Sequence, residues 1–507
     1  MTHPDHPDHP GHPERPEHAE RRTDPGGQPS PVTAGRRSAT RGLGWLAAPA
    51  AAPPLPDEVV RRRYPRLRLQ AFLGIFIGYA GYYLIRNNVP LVASILIDEG
   101  RVSTVGIGLI TNAALVAYGL SKFLSAIVSD RSNARYFLPI GLALSAVANL
   151  AIAFLPALSA TVAAFATVMF VNGWVQGMGW PPCGRVLVHW FSTTERGFKT
   201  ALWNVAHNVG GFFVGVLAAV GLQLSGDDWT AAFWLPAVVA LVVAVVAFVL
   251  VRDRPESEGL PAVEVYRDDP PKVVADEAAE AGMSTWAVVR RHVLSNRTML
   301  LLAVANVFVY ALRYGILNWT PVYLATERGA SLGAGIAGFS MFELAGIAGT
   351  ILCGVVSDRV FRGNRSHTGI AFMVAVAVMT AVYWLTPADA PLWISLVSVA
   401  VIGGLIYGPV MLIGLQAIDM SPRHVAGTAA GYTGLFGYVL GATLASSGIG
   451  VVVHHYGWDV TFVLLIGFAL ATVVLLVFVD RDEKAMIARR AAAHPQQRQK
   501  GWPAGSA

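Results

Sequence analysis

Charge is scarce in this chain. Of its 507 residues only 14% are Asp, Glu, Lys or Arg, cysteine occurs twice, and the mean hydropathy is +0.50. So few charges cannot cover the surface of a water-soluble protein of this length, which places the chain in a membrane. Two cysteines, Cys183 and Cys353, make no disulfide framework and no metal-ligand spacing, and both read as small apolar packing residues. The short alternating segments of a membrane barrel are missing. So are Gly-x4-Gly-Lys-Ser/Thr, His-Glu-x2-His and Gly-x-Ser-x-Gly, which excludes ATP hydrolysis by this chain and gives no sign of an intramembrane hydrolase. The chain therefore reads as a non-enzyme, with no cofactor and no metal expected.

What the chain has in abundance is long apolar runs. A helix needs roughly 20 residues to cross about 30 Å of hydrocarbon. Such runs fall at 67–94, 106–129, 135–154, 159–187, 199–222, 230–251, 298–324, 333–357, 368–386, 391–418, 425–452 and 459–479. The expected fold is all-α with twelve transmembrane helices, six in each of two halves. Lys and Arg crowd the connections on one side, whereas Arg101 and Arg328 alone fall on the other. Positive charge marks the cytoplasmic face, so both termini and the central connection are expected there. The formal net charge of +6 then reflects topology and calls for no nucleic acid.

The domain plan follows. Residues 1–56 form a His/Pro-rich cytoplasmic tail expected to be disordered, in which His3, His6, His9 and His12 recur every third residue, a spacing that lines one face of a polyproline II helix. That stripe reads as solvated tail. Residues 57–251 form the first half, 252–297 a cytoplasmic linker, 298–480 the second half and 481–507 a cytoplasmic tail.

The halves repeat each other. Val128-Ser129-Asp130-Arg131 recurs as Val356-Ser357-Asp358-Arg359, and Arg196-Gly197 aligns with Ala426-Gly427. In that register two arginines buried in apolar runs, Arg86 and Arg313, occupy equivalent places. Matched polar groups in two parallel repeats describe a secondary transporter with its site at the bilayer midplane. The other ionisable groups deep in the spans are Lys122, His207 and Glu343. Each is costly in lipid unless it faces a partner or a polar cavity. Counting Arg86, Lys122 and Arg313 against Glu343 leaves two positive charges in excess, a match for a dianion such as phosphate or a phosphate monoester. The arginine fork binds phosphate oxygens bidentately, so one arginine from each half can clamp one phosphate. His207 follows Asn204 by three residues on one helix face and, with an ordinary pKa of about 6.5, can donate to phosphate or take a proton as the anion arrives.

The runs GYAGYYLIR (78–86), YGLSKF (118–123), SDRSNARYFLP (129–139), QGMGWPPCGR (176–185), WNVAHNVGG (203–211), NVFVYALRYGIL (306–317), VFRGNR (360–365), IYGPVMLIGL (406–415) and AGTAAGYTGLFGY (426–438) closely resemble the organophosphate:phosphate antiporter family of the major facilitator superfamily. The likeness runs collinearly over about residues 58–485. It implies the major facilitator fold, two pseudo-symmetric six-helix halves that rock to exchange external glycerol-3-phosphate for cytoplasmic inorganic phosphate across the cell (inner) membrane, the chain acting as a monomer. By matching motif, Arg86 and Arg313 are similar to the family's phosphate-binding arginines. Lys122 and His207 resemble its accessory groups, Tyr83, Tyr118, Asn204 and Tyr407 its cavity lining, and Glu343 an acidic residue engaged in ion-pair changes around the site.

Two positions depart from the pattern. Where members carrying glycerol-3-phosphate have a lysine after the first arginine and an aspartate in the seventh span, this chain has Asn87 and Asn318, so a salt bridge is replaced by at most an amide hydrogen bond. The Arg-Asn-Asn run at 86–88 looks more like members that carry phosphoglycerate, which stays an alternative along with other phosphate esters. A membrane sensor that binds an organophosphate without moving it is the remaining alternative.

Overall fold

The computed structural model describes residues 46–129, 131–192, 195–267, 287, 289–421 and 426–493. Residues 1–45, with the histidine stripe, lie outside the described residues. Among those described, every regular element of the spans is helical, and one isolated bridge between Ala47 and Ser132 is the only β pairing.

Among the described residues ten helices are long and apolar enough to cross a bilayer. They hold the second to the twelfth of the expected spans, the last two within one helix, and the split first span is not among them. The eleventh and twelfth run together as one helix except at Gly457, where φ of 77° turns the chain. The first span is split into Asp57–Leu84 and Asn88–Asp98. The second is Thr104–Ser129, the third Ala134–Phe154, and the fourth is split into Val162–Gln176 and Trp180–Trp190. The fifth bends at Val205 between Arg196–Asn204 and Ala206–Ser225, and the sixth is Ala231–Leu250. In the second half come Arg297–Arg328, Leu332–Val355, Arg365–Leu385 and Leu392–Asp419, and the eleventh span opens with Ala426–Phe436.

Prolines explain the breaks. A proline has no N–H for the carbonyl four residues earlier and its ring crowds that carbonyl. Pro90 acts so on Arg86, and Pro181 and Pro182 on Gly177 and Met178, which are the points where the first and fourth spans open. The seventh span carries its proline, Pro321, one turn later with respect to its arginine and stays helical through Arg313.

Packing repeats between the halves. The second span packs on the fourth as the eighth does on the tenth, and the third on the sixth as the ninth on the twelfth. Gly173 touches the second span at the Ala114 carbonyl, and Gly403 touches the eighth at Phe342. Across the halves the second span meets the eleventh and the fifth meets the eighth, contacts that an exchange of the halves interconverts. Thr443 donates to Asn112 Oδ1 at 3.0 Å across the first of these seams.

At the linker end each half is stapled by a buried carboxylate. Asp253 accepts from the Ala134 N–H at 2.9 Å and from Arg185 at 3.0 Å. Glu483, its counterpart after the twelfth span, accepts from the Arg365 N–H at 3.0 Å, the Ser366 N–H at 2.9 Å and Gln416 at 2.9 Å. Each cancels free N–H groups where the third or ninth span begins. Replacing Glu483 by Ala is expected to destabilise the protein by about 2 kcal/mol, the scale of hydrogen bonds to a buried charge. The readout is a lower melting temperature of the detergent-solubilised protein, whereas an exposed change such as Arg62→Ala should leave it in place.

Three flanking expectations are refined. Residues 46–56 run against neighbouring loops, with Ala48 bonded to the Arg131 carbonyl, Ala52 to that of Glu256 and Leu55 to that of Gly259, so this part of the expected disordered tail is held. The opening of the linker folds back because Leu260 and Val263 are apolar and buried, and Tyr266 stacks on Tyr64 at 3.7 Å. The last helix continues past 480 to Ala493.

Candidate functional site

The break in the first span sets up the site. Its freed carbonyls need partners, since none comes from water at this depth. The Tyr82 carbonyl accepts from Gln176 at 3.0 Å, that of Leu84 from Asn88 at 3.3 Å, and that of Ile85 from both Asn149 and Asn172 at 3.1 Å. Four buried amides thus hold the opened backbone on which Arg86 sits.

Arg86 is 6% exposed, and its guanidinium lies between the Tyr83 ring at 4.1 Å and the Tyr118 ring at 4.0 Å. Nε donates to Gln176 Oε1 at 3.1 Å, while Nη1 and Nη2 have no hydrogen-bond partner among the described residues. Arg313, 3% exposed, lies over the Tyr407 ring at 4.5 Å and the Tyr314 ring at 4.8 Å. Its Nη2 donates to Tyr407 Oη at 2.8 Å, Tyr407 donates on to Glu343 Oε2 at 2.6 Å, and Asn208 of the fifth span donates to the same oxygen at 3.0 Å. This relay crosses from one half to the other. Arg313 Nε and Glu343 Oε1 are buried without partners.

His207 stands between the halves, 5.5 Å from the Tyr83 ring and 5.4 Å from the Tyr407 ring, and one ring nitrogen meets the Asn204 carbonyl at the bend of the fifth span. Asn204 thus contributes its backbone here. Lys122 Nζ lies 4.8 Å from the Trp180 ring and 5.6 Å from that of Tyr438. Tyr438 closes the cluster against Tyr118 at 4.8 Å and Tyr310 at 4.9 Å.

The expected residues Arg86, Arg313, Tyr83, Tyr118, His207, Tyr407 and Glu343 therefore converge, with Lys122 at the edge. Asn87 and Asn318 are both buried, but no hydrogen bond joins them among the described residues. Asn318 borders a small recess with Gly108, Thr111 and Ser446, and its Oδ1 is unpartnered. Sequence reasoning passed over Gln176, Asn208, Tyr310, Tyr314 and Tyr438. Tyr310 and Tyr314 flank Arg313 by one helical turn and by one residue, and that was signal enough to find them. For Gln176 and Asn208 there was none, because a lone amide in a span does not announce its partner.

Chemically the site is a set of fixed donors short of acceptors. Guanidinium groups facing tyrosine rings gain about 0.5–2 kcal/mol each from the ring quadrupole. That offsets part of their desolvation and leaves the forks available. A buried charged N–H without an acceptor costs about 1–3 kcal/mol or more, so an anion with several oxygens is the complement of this arrangement. No group of three or more His, Cys, Asp or Glu that could hold a metal ion occurs among the described residues. A separate apolar recess of about 290 Å³ beside Phe76, Ala80, Phe213 and Val243 offers no partner for phosphate.

Comparison with known proteins bears on the family and the fold. The model of the Major Facilitator Superfamily matches residues 71–446. The glycerol-3-phosphate transporter of Bacillus subtilis is 46% identical over 422 residues, 83% of this chain and 94% of that protein. The protein of the same name in Haemophilus influenzae is 42% identical over 453 residues, 85% of this chain and 94% of that one. Among solved structures, a bacterial homolog of the human lysosomal transporter Spinster, inward-facing and unoccupied, is matched with a TM-score of 0.59 at 16% identity over 82% of this chain and 96% of that one.

Proposed function

This chain belongs to the Major Facilitator Superfamily, and from that membership we propose that it is an antiporter of the cell membrane that brings in glycerol-3-phosphate in exchange for cytoplasmic inorganic phosphate. The observation that carries the reading is the pair of arginines, one from each half, whose buried nitrogens Arg86 Nη1, Arg86 Nη2 and Arg313 Nε have no partner. A phosphate between them satisfies both halves at once. The names of the relatives supply the organic part, glycerol, and the distribution of Lys and Arg supports cytoplasmic termini.

Exchange follows from the charge of the site. An empty cavity with two positive charges in excess is costly to carry across the hydrocarbon, whereas the dianion-filled cavity is neutral. The halves therefore rock when loaded and stall when empty, which couples inward movement of one phosphate compound to outward movement of another. The site is complete within one chain, which supports action as a monomer.

Counterflow tests the reading. Purified protein in phosphate-loaded proteoliposomes is expected to take up labelled glycerol-3-phosphate, and to stop when internal phosphate is absent. Uptake that ignores internal phosphate would overturn exchange, and saturable binding without uptake would replace transport by sensing.

A further inference from the structure

The proposed exchange leaves open how the site treats the rest of the ester. Glu343 is the acid in its charge balance. It is 0% exposed, and its carboxylate presses on the fifth span of the other half, where a Cβ on Gly211 would stand 2.7 Å from its carboxyl carbon. Oε2 is fixed by Tyr407 and Asn208, and Oε1 is buried with no hydrogen-bond partner among the described residues. Through the Tyr407 hydroxyl the carboxylate stands one residue removed from Arg313.

We infer that Glu343 sets the charge of the substrate, admitting phosphate esters of uncharged polyols and rejecting those that carry an additional carboxylate. The inference rests on the transporter reading and deepens it. Among the described residues the buried ionisable groups away from the linker end are Arg86, His207, Arg313 and Glu343, with half-buried Lys122 at the edge. Taking His207 as neutral, the cations exceed Glu343 by two charges. Inorganic phosphate and a phosphate ester of glycerol, both as dianions, neutralise that excess. A phosphoglycerate brings one negative charge more than the site can match, at a depth where an unmatched charge is expensive. Glu343 adds a direct term, because its unpartnered Oε1 is an acceptor. It can accept a hydrogen bond from a polyol hydroxyl, while a second carboxylate offers it only repulsion. The neutral pair Asn87 and Asn318 leaves this balance untouched.

Glu343→Gln isolates the charge, since glutamine keeps the length of the side chain and an oxygen to accept from Tyr407 and Asn208. Phosphate-loaded proteoliposomes are offered labelled glycerol-3-phosphate, 3-phosphoglycerate and inorganic phosphate. The wild type should favour glycerol-3-phosphate, and the variant should move the ratio of 3-phosphoglycerate to glycerol-3-phosphate up by about tenfold or more, since like charges brought together cost several kcal/mol. If the variant folds but no longer rocks, displacement of labelled phosphate from the detergent-purified protein by the two esters must show the same change of ratio. An unchanged ratio in that measurement, or a wild type that takes both esters equally, overturns the inference. A wild type that exchanges phosphate for no ester overturns the transporter reading instead, so the two failures look different.

Discussion

Replacing Arg86 by lysine is expected to slow phosphate exchange by about a hundredfold or more. Lysine keeps the charge and loses the geometry. The planar guanidinium lies between two tyrosine rings, anchored by Nε to Gln176, and its two terminal nitrogens have no partner among the described residues. An ammonium of tetrahedral shape cannot hold Gln176 and grip two phosphate oxygens from the same place. Losing two charge-assisted hydrogen bonds at about 1.5 kcal/mol each gives about 3 kcal/mol, close to two powers of ten. Arg313→Lys should behave alike, since its Nη2 is committed to Tyr407. The measurement is initial uptake of labelled phosphate into phosphate-loaded proteoliposomes. A rate within about threefold of the wild type in either variant would remove the clamp, because a point charge would then suffice.

The second large effect lies in the helix crossings. A valine at Gly403 should prevent the tenth span from seating on the eighth, since even its Cβ would stand 2.4 Å from the Phe342 carbonyl oxygen. Backbone on the other side cannot give way as a side chain does, so the helices must part. Overpacking of this kind costs about 1–3 kcal/mol and more where nothing can shift. Phe342 precedes Glu343, so the displacement also moves the carboxylate that meets the other half. The expected result is little protein eluting as a single species in gel filtration, and no uptake from what remains. Gly414→Ala on the same span is the control, because nothing lies within 4 Å of a Cβ there. Equal yields of the two variants would mean that the crossing tolerates separation.

Much of this arrangement was legible in the residues, for reasons that differ from place to place. Apolar length placed the spans. The two arginines stood out because lipid tolerates few charges, and the repeat around Ser129-Asp130-Arg131 put them in register. The breaks of the first and fourth spans were not read, since both read as single apolar runs and prolines such as Pro236, Pro321 and Pro409 sit inside helices that stay whole. What could not be read was how the opened backbone is satisfied. Asn149, Asn172 and Gln176 come from the third and fourth spans to carbonyls at 82 and 85, and nothing local in an apolar helix says which carbonyl an amide will find. The folded start of the linker escaped for a related reason. Its charges spoke for water, and the burial of Leu260 and Val263 together with the stacking of Tyr266 on Tyr64 outweighed them. Asn87 and Asn318 read as a neutralised pair, and no hydrogen bond joins them among the described residues.

Pro90 lies four residues after Arg86 and Pro321 eight after Arg313, and of these two helices the first is split while the second is continuous. The two arginines therefore agree in address and differ in how they are mounted. Arg313 is mounted on a continuous rod, and any pull on it is a pull on a whole helix. Arg86 is mounted on a short unwound link held by four amides. In the proposed clamp a phosphate would be held from a continuous helix on one side and from a break between two helices on the other, so the way an ester turns in the site would depend on backbone as well as on charge.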